Sequence, residues 1–293
     1  MRAVVDIGTN SVLLLVAQRD REGHVDVVLD EARITRLGRG VDRTGRLAPE
    51  SVERTLAVLG EYREIAGEHD AELTVVATEG LRMAADRDAF LAQAHERLGC
   101  PIRIVSGDEE AELSFLSVAQ ELPGDTPLRV LDIGGGSTEL VVGHGKTVLD
   151  RRSHAIGSVR LTERFVHTDP PTAAEVDAVK AAARAALQSQ PVQPLETLHG
   201  LAGTVTTAAA LLLDLEVYDR EAVDGLQVPI ARVTALRDTL AAEPLEQRCR
   251  RPMLPSGRAD VIVAGLTILE AALEHCGASM LVVRDRGLRY ALV

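Results

Sequence analysis

Two short glycine turns, each enclosed by apolar residues, constrain the fold of this chain more than any other feature. Residues 6–11 read DIGTNS and residues 132–139 read DIGGGSTE, and each turn follows one apolar run and precedes another. An apolar run, a polar turn with glycine and a second apolar run are typical of a β-hairpin. Since the pattern occurs twice, as a duplication across the two halves of the chain, it predicts two lobes that each begin with such a hairpin.

The same turns indicate a kind of ligand. Backbone N–H groups in such a turn converge on one point, where they bind phosphate oxygens, and glycine lets a ligand approach the backbone closely. Two turns of this kind predict a phosphate chain in a cleft between two facing lobes, whereas the alternative is an ordinary hairpin turn without a ligand. The turn residues expected to bind phosphate are Thr9, Asn10, Ser11, Gly135, Gly136, Ser137 and Thr138.

Strands and helices alternate in the rest of the predicted chain, which indicates an α/β fold. Hairpins form antiparallel strand pairs and strand–helix–strand units form parallel ones, so mixed sheets are expected. Residues 122–127 contain two prolines and a glycine and form the clearest linker. We therefore predict an N-terminal lobe over residues 1–122 and a C-terminal lobe over residues 123–293, whose last helix at about residues 285–293 packs on the first lobe. The longer helices are predicted at about residues 49–68, 86–98, 106–120, 172–188, 203–213 and 258–275.

Composition and charge exclude several classes of protein. The 293-residue chain has a formal net charge of -12, whereas a general nucleic-acid binder is usually basic. It has no Trp and only three Tyr and three Phe, so surfaces that stack bases are nearly excluded. No apolar run reaches the length of a membrane span, the strand pattern begins too early for a signal peptide, and three sparse Cys residues fit a reducing compartment. We therefore expect a cytoplasmic protein with neither a nucleic-acid nor a membrane partner.

Seven short motifs, taken in order, resemble those of the exopolyphosphatase and guanosine pentaphosphate phosphatase family. That family belongs to the superfold of acetate kinase, sugar kinases, Hsp70 and actin. The resemblance runs from about residue 1 to residue 293, and it is to the short, two-domain form without the further helical domain of the full-length members. It implies two ribonuclease-H-like lobes, each a mixed sheet with flanking helices. The motifs lie at residues 6–11, 77–84, 106–112, 132–139, 157–161, 202–204 and 256–265.

The resemblance also implies roles for particular residues. Glu110 corresponds to the family's glutamate that activates the attacking water, and phosphoanhydride hydrolysis needs a carboxylate in that role. Asp132 is implied as the main ligand of a divalent cation, with Asp6 and Glu139 as further metal ligands. Mg²⁺ is the expected cation, with Mn²⁺ as the alternative, and activation by K⁺ is left open. The residues implied to bind phosphate outside the two turns are Arg82, Gly203, Thr204 and Arg258.

A structural alternative stays open for several of these residues. The acidic residues 108–110 stand at a predicted helix start, where carboxylates stabilise the helix macrodipole. Asp6 and Asp132 can cap their own turns, and Arg82 and Arg258 can form surface salt bridges. A local basic cluster fits either a solvated face or a guide for a polyanion, and it consists of Arg248, Arg250 and Arg251.

The activity implied by the resemblance is that of an exopolyphosphatase, which removes the terminal phosphate from inorganic polyphosphate by metal-assisted attack of a Glu-activated water. Hydrolysis of guanosine pentaphosphate at the same site is the first alternative, since the two activities differ in what binds the rest of the substrate. A non-hydrolytic, actin- or Hsp70-like ATP-binding module is the second alternative, and an inactive polyphosphate sensor is the third. Members of the family often form homodimers, but no motif here decides the oligomeric state.

Overall fold

A computed structural model describes residues 1–21, 23–122 and 124–293. Pro123, in the predicted linker, lies outside the described residues. The chain divides into two compact units: Met1–Leu113 together with Leu288–Val293 form unit 1, and Ser114–Gly287 form unit 2. This division assigns the last residues to unit 1. It also falls at residue 113, within a helix, whereas the sequence pattern places the boundary after residue 122.

A five-stranded mixed sheet forms the centre of unit 1, in the order β3-β2-β1-β4-β5. The first three strands are antiparallel neighbours, whereas β4 runs parallel to both β1 and β5. Residues 8–10 alone separate β1 from β2, so the first predicted hairpin is present. The strands are β1 (Arg2–Ile7), β2 (Ser11–Arg19), β3 (Val25–Ile34), β4 (Glu72–Ala77) and β5 (Ile102–Ile104).

Helices cover both faces of this sheet. Alternate residues of β1 point to opposite faces, so Val5 packs with α2 and α4, whereas Val4 packs with Tyr290 of the C-terminal segment. Helix α2 begins with a proline, whose fixed φ suits the first helical turn. The helices of unit 1 are α1 (Val41–Thr44), α2 (Pro49–Glu68), α3 (Glu79–Arg82), α4 (Arg87–Leu98) and the 3₁₀ helix Leu288–Ala291, and α5 (Gly107–Ala119) crosses the boundary to unit 2.

Unit 2 contains a six-stranded mixed sheet in the order β10-β11-β9-β6-β7-β8. The second predicted hairpin joins β6 to β7, and β9 runs parallel to both β6 and β11. Without the short edge strand β10, this order repeats that of unit 1, as expected for a duplicated fold. The strands are β6 (Pro127–Ile133), β7 (Thr138–His144), β8 (Thr147–His154), β9 (Thr197–Leu201), β10 (Gln227–Pro229) and β11 (Met280–Val283).

The core of unit 2 is built around α12, in which residues 262–273 are all buried. This helix packs with α7, α10 and α6. Helix α7 begins at a capping box, in which Thr172 and Glu175 exchange side-chain and backbone hydrogen bonds. The helices of unit 2 are α6 (Ser158–Phe165), α7 (Ala173–Leu187), α8 (Ala202–Leu212), α9 (Arg220–Val223), α10 (Ile230–Ala242), α11 (Leu245–Arg248) and α12 (Ile262–His275).

The observed architecture confirms the predicted α/β fold of two lobes with mixed sheets and flanking helices. Three short elements, α1, α9 and β10, were not predicted, because three or four residues are too few to show a periodic pattern. Helix α1 lies in a segment predicted as a polar loop, between Gly40 and Gly45, which both adopt left-handed backbone conformations. Among the described residues, no helix is long and apolar enough to cross a membrane.

The close packing at Gly157 is testable by substitution. A Cβ atom on Gly157 would lie 2.4 Å from the carbonyl carbon and oxygen of Gly135, so Gly157→Ala is expected to destabilise unit 2 by about 1–3 kcal/mol through overpacking. Urea unfolding measures the change. Gly60→Ala in α2 is the control, because a Cβ atom there meets nothing within 4 Å and is expected to stabilise the helix by about 0.5–1 kcal/mol. Equal stability of Gly157→Ala and the unsubstituted protein would contradict this packing argument.

Candidate active site

The first predicted turn is held in place by two glycines that approach it closely. Its own backbone is closed by a 2.9 Å hydrogen bond from the N–H of Gly8 to the carbonyl of Ser11. A Cβ atom on Gly38 would lie 2.5 Å from Thr9 Cγ2, and one on Gly80 would lie 3.0 Å from Thr9 Cα. The carbonyl of Asn10 accepts bonds from two N–H groups just after β3. The structure thus brings together all three predicted phosphate-binding residues of this turn.

The second predicted turn has the same closure and is supported by α6. The N–H of Gly134 donates to the carbonyl of Ser137 over 3.0 Å. The N–H groups of Ser158 and Val159 donate to the carbonyls of Gly134 and Gly135, and the guanidinium of Arg160 donates to the carbonyl of Gly136 over 2.5 Å. The first N–H groups of α6 therefore orient the turn by binding its carbonyl oxygens.

Two of the predicted metal ligands lie side by side in unit 2. Asp132 on β6 is the direct cross-strand partner of Glu139 on β7, which brings their Cβ atoms to about 4.5–5.5 Å. Ser114 Oγ donates to Asp132 Oδ2 over 2.6 Å, and Ser153 Oγ donates to Glu139 Oε1 over the same distance. Burial raises the pKa of Asp132, and the hydrogen bond from Ser114 offsets only part of this.

This pair fits a hard divalent cation. Such a cation takes carboxylate oxygens together with water and phosphate oxygens, and its charge would favour the ionised form of Asp132, which burial disfavours. No group of three or more His, Cys, Asp and Glu side chains suited to a metal exists within the described residues. Asp132 and Glu139 would therefore hold the cation with water and phosphate as its other ligands.

Asp6 occupies the corresponding position in unit 1, but its surroundings differ. Its antiparallel cross-strand partner is Leu13, not an acid. A buried arginine that the sequence analysis did not single out, Arg289, donates to Asp30 over 2.6 Å. Burial disfavours the charge of Arg289, but Asp30, together with a smaller contribution from Asp6, raises its pKa above the usual value. A cation at Asp6 would therefore have to bind near the positive charge of Arg289. The sequence signal for the presence of Arg289 here was the prediction that residues 285–293 pack on the first lobe.

Glu110 lies in a buried ion-pair chain of unit 1. Only 7% of the residue is exposed, and Arg82 Nη1 lies 3.3 Å from its Oε2 atom. Arg82 Nη2 also donates to Glu79 Oε2 over 2.6 Å. By contrast, the neighbouring Glu109 pairs with Arg103 at the surface. Glu110 is therefore more than an exposed carboxylate at a helix start, and Arg82, a predicted phosphate ligand, joins two carboxylates.

Three predicted phosphate-binding residues meet at the start of α8. A Cβ atom on Gly203 would lie 3.1 Å from Arg258 Nη2, and Arg258 Nη1 donates to Thr207 Oγ1 over 2.9 Å. Thr204 follows Gly203 in the first turn of α8. Burial lowers the pKa of Arg258, against a smaller opposing influence of Tyr218, and no carboxylate of the described chain forms an ion pair with it. A partly buried cation beside a helix N-terminus fits an anionic ligand.

The basic cluster at residues 248–251 is neutralised locally. Each of its arginines has an acidic partner within unit 2, at 3.2 Å for Arg248 and 2.5 Å for each of the other two. These ion pairs agree with a structural role and leave little net charge to guide a polyanion. The partners are Asp169 for Arg248, Glu246 for Arg250 and Glu243 for Arg251.

Comparisons with known proteins cover almost the whole chain. The sequence profile of the Ppx/GppA phosphatase family matches residues 15–293. Exopolyphosphatase 2 of Mycobacterium tuberculosis is 38% identical, over 98% of this chain and 95% of that protein. The crystal structure of the Aquifex aeolicus Ppx/GppA family member is 36% identical, covers 99% of this chain and 95% of its own, and has a TM-score of 0.83. That of an exopolyphosphatase-like protein is 32% identical, covers 99% and 97%, and has a TM-score of 0.91.

The hydrogen bond from the Ser114 hydroxyl group to Asp132 is testable by substitution. Because the hydrogen bond from Ser114 stabilises the ionised carboxylate, Ser114→Ala is expected to raise the pKa of Asp132 further. Carbon-13 NMR titration of the metal-free protein measures it. Ser117→Ala is the matched control, since Ser117 Oγ donates to the carbonyl of Ser114 within the helix. An unchanged pKa in Ser114→Ala, or an equal rise in the control, would contradict the assigned bond.

Proposed function

This chain belongs to the Ppx/GppA phosphatase family, and from this premise we propose that it is an exopolyphosphatase. Its substrate would be inorganic polyphosphate, from which it releases the terminal phosphate. The name of the Mycobacterium tuberculosis relative supports this activity. The observation that carries the proposal is Glu110, a carboxylate that is buried and held by a guanidinium at the start of α5. A carboxylate is able to accept a proton from water, and burial together with the contact to Arg82 holds this one in a fixed position.

The proposed reaction is hydrolysis of a phosphoanhydride bond. Glu110 accepts a proton from a water molecule, whose oxygen forms a new bond to the terminal phosphorus. The bond from that phosphorus to the bridging oxygen breaks, and its electron pair stays on the shortened chain. The two turns, Arg258 beside the start of α8, and Arg82 bind phosphate oxygens of the substrate. Asp132 and Glu139 would hold a divalent cation, which would supply positive charge to the phosphate oxygens. Asp6 is proposed as a further metal ligand in unit 1.

Finer points belong to the same proposal. We propose Mg²⁺ as the cation, because it needs only one or two carboxylates besides water and phosphate oxygens; Mn²⁺ is the alternative, and activation by K⁺ is left open. We further propose that the protein is cytoplasmic and has no nucleic-acid partner. A homodimer is the oligomeric state that we propose to test first.

One observation favours guanosine pentaphosphate as a second substrate. Tyr218 is 44% exposed and close enough to Arg258 to affect its pKa. An exposed aromatic ring beside a phosphate-binding arginine offers a surface on which a purine base stacks. The scarcity of other aromatic residues favours polyphosphate, which has no base to bind.

The role of Glu110 is tested by Glu110→Gln. Glutamine keeps the shape of the side chain but does not accept the proton, so kcat for polyphosphate should fall by about 10²–10⁴-fold. Phosphate-release kinetics measure kcat, and calorimetric titration with polyphosphate should show that binding is retained. The matched control is Glu109→Gln, which removes the same charge from the adjacent, surface-paired residue and should leave kcat unchanged. Near-normal turnover by Glu110→Gln would refute the assigned role.

A substrate panel tests the activity itself. Short and long polyphosphates, guanosine pentaphosphate and ATP are compared by phosphate release, each with Mg²⁺ and with EDTA. Polyphosphate should be hydrolysed fastest and only in the presence of the cation. The Glu110→Gln protein, run in parallel, controls for contaminating phosphatases. Faster release from guanosine pentaphosphate would favour the second substrate, and tight ATP binding without any polyphosphate hydrolysis would support a non-hydrolytic ATP-binding module instead.

A further inference from the structure

Glu79 is a largely buried acid that the proposed reaction does not use. It is the first residue of the four-residue helix α3, which follows β4 directly, and it is 9% exposed. The last residue of β4, Ala77, is the parallel partner of Ile7 on β1. The second residue of α3, Gly80, approaches Thr9. Glu79 thus lies just beyond the carboxyl ends of β1 and β4, where the first phosphate turn also begins.

Arg82 links Glu79 to Glu110 through a fixed set of hydrogen bonds. Its Nε and Nη2 atoms both donate to Glu79 Oε2, over 3.1 and 2.6 Å. Its Nη1 atom donates to the carbonyl of Val105 over 2.6 Å and to Glu110 Oε2 over 3.3 Å. One hydrogen from Nε, one from Nη2 and two from Nη1 are therefore engaged, of the five that a guanidinium carries. Glu79 therefore binds the Nε and Nη2 atoms of Arg82, and only Nη1 reaches Glu110.

We propose that Glu79 is a positioning residue for the general base. Its ion pair with Arg82 holds the guanidinium in an orientation that prevents a bidentate ion pair between Arg82 and Glu110. This inference rests on the proposed role of Glu110 in the reaction. Glu79 acts through Arg82 and does not itself touch the reacting atoms.

The physical reason is competition between two carboxylates for one planar cation. A guanidinium binds a single carboxylate most strongly through two parallel N–H bonds. Without the charge of Glu79, the Nε and Nη2 atoms of Arg82 would be able to turn towards Glu110 and bind both of its oxygens. A carboxylate bound in this bidentate way accepts a proton less readily. Two other charged residues near this helix start, Arg103 and Glu109, pair with each other at the surface, so they do not compete with Glu79 and Glu110 for Arg82.

The experiment compares Glu79→Gln, Glu79→Asp and the double variant Glu79→Gln/Glu110→Gln in phosphate release from polyphosphate. Glu79→Gln should lower kcat roughly tenfold, less than the loss of the general base itself. It should change KM less than about twofold, because the two turns and Arg258 supply the other proposed phosphate contacts. Glu79→Asp keeps the charge three residues from Arg82 and should recover most of kcat. In the double variant, Glu79→Gln should cause no further loss, because the base through which it acts is gone. Glu109→Gln is again the matched control.

Several results would overturn the inference. An unchanged kcat in Glu79→Gln would remove the positioning role, and a loss as large as that in Glu110→Gln would make Glu79 part of the chemistry. A tenfold loss that persists in the Glu110→Gln background would place its action elsewhere, and failure of Glu79→Asp to recover kcat would exclude charge as the cause. Urea unfolding of each variant separates these effects from a loss of fold. If Glu110→Gln loses turnover as proposed while Glu79→Gln does not, only this inference fails; if Glu110→Gln retains turnover, both fail.

Discussion

Both turns that are proposed to bind phosphate depend on backbone segments that approach each other more closely than a Cβ atom allows. Gly38 and Gly80 lie against Thr9 in unit 1, and Gly157 lies against the turn at residues 134–137 in unit 2. Each turn is closed by the same N–H to carbonyl bond, from its first glycine to the serine three residues later. Because glycine backbone packs closely against both turns, we infer that their N–H groups are held in place before any ligand binds. Such preorganised donors stabilise anionic groups most effectively.

The charged residues of the candidate site are balanced differently in the two units. In unit 1, Arg289 is paired with Asp30, and Arg82 with Glu79 and Glu110. In unit 2, burial disfavours the charged forms of both Asp132 and Arg258. A divalent cation would stabilise the first and a phosphate group the second. The proposed substrate and its cation would thus supply the opposite charges for Asp132 and Arg258.

The sequence predicted the elements whose signals are local. The hairpins follow from short apolar runs around a glycine turn, and α2 from a proline at its start and apolar residues at helical spacing. The pairing of Asp132 with Glu139 is also local, since the turn between their strands sets the register. The pairing of Arg82 with Glu110 and that of Arg289 with Asp30 were not predicted. Glu110 is 28 residues from Arg82, and Asp30 is 259 residues from Arg289, so no periodic pattern connects them.

The sequence alone determined that the chain has two related lobes, which acidic turns they present, and which family it resembles, because strand periodicity, turn chemistry and motif order are properties of neighbouring residues. The tertiary structure decided which charged side chains meet and which are desolvated. Arg82 became a bridge between two carboxylates, Arg289 an unforeseen neighbour of Asp6, and the arginines at residues 248–251 members of local ion pairs. The energy of a charged side chain depends on its distance to other charges and on its burial, and both quantities exist only once distant parts of the chain have come together.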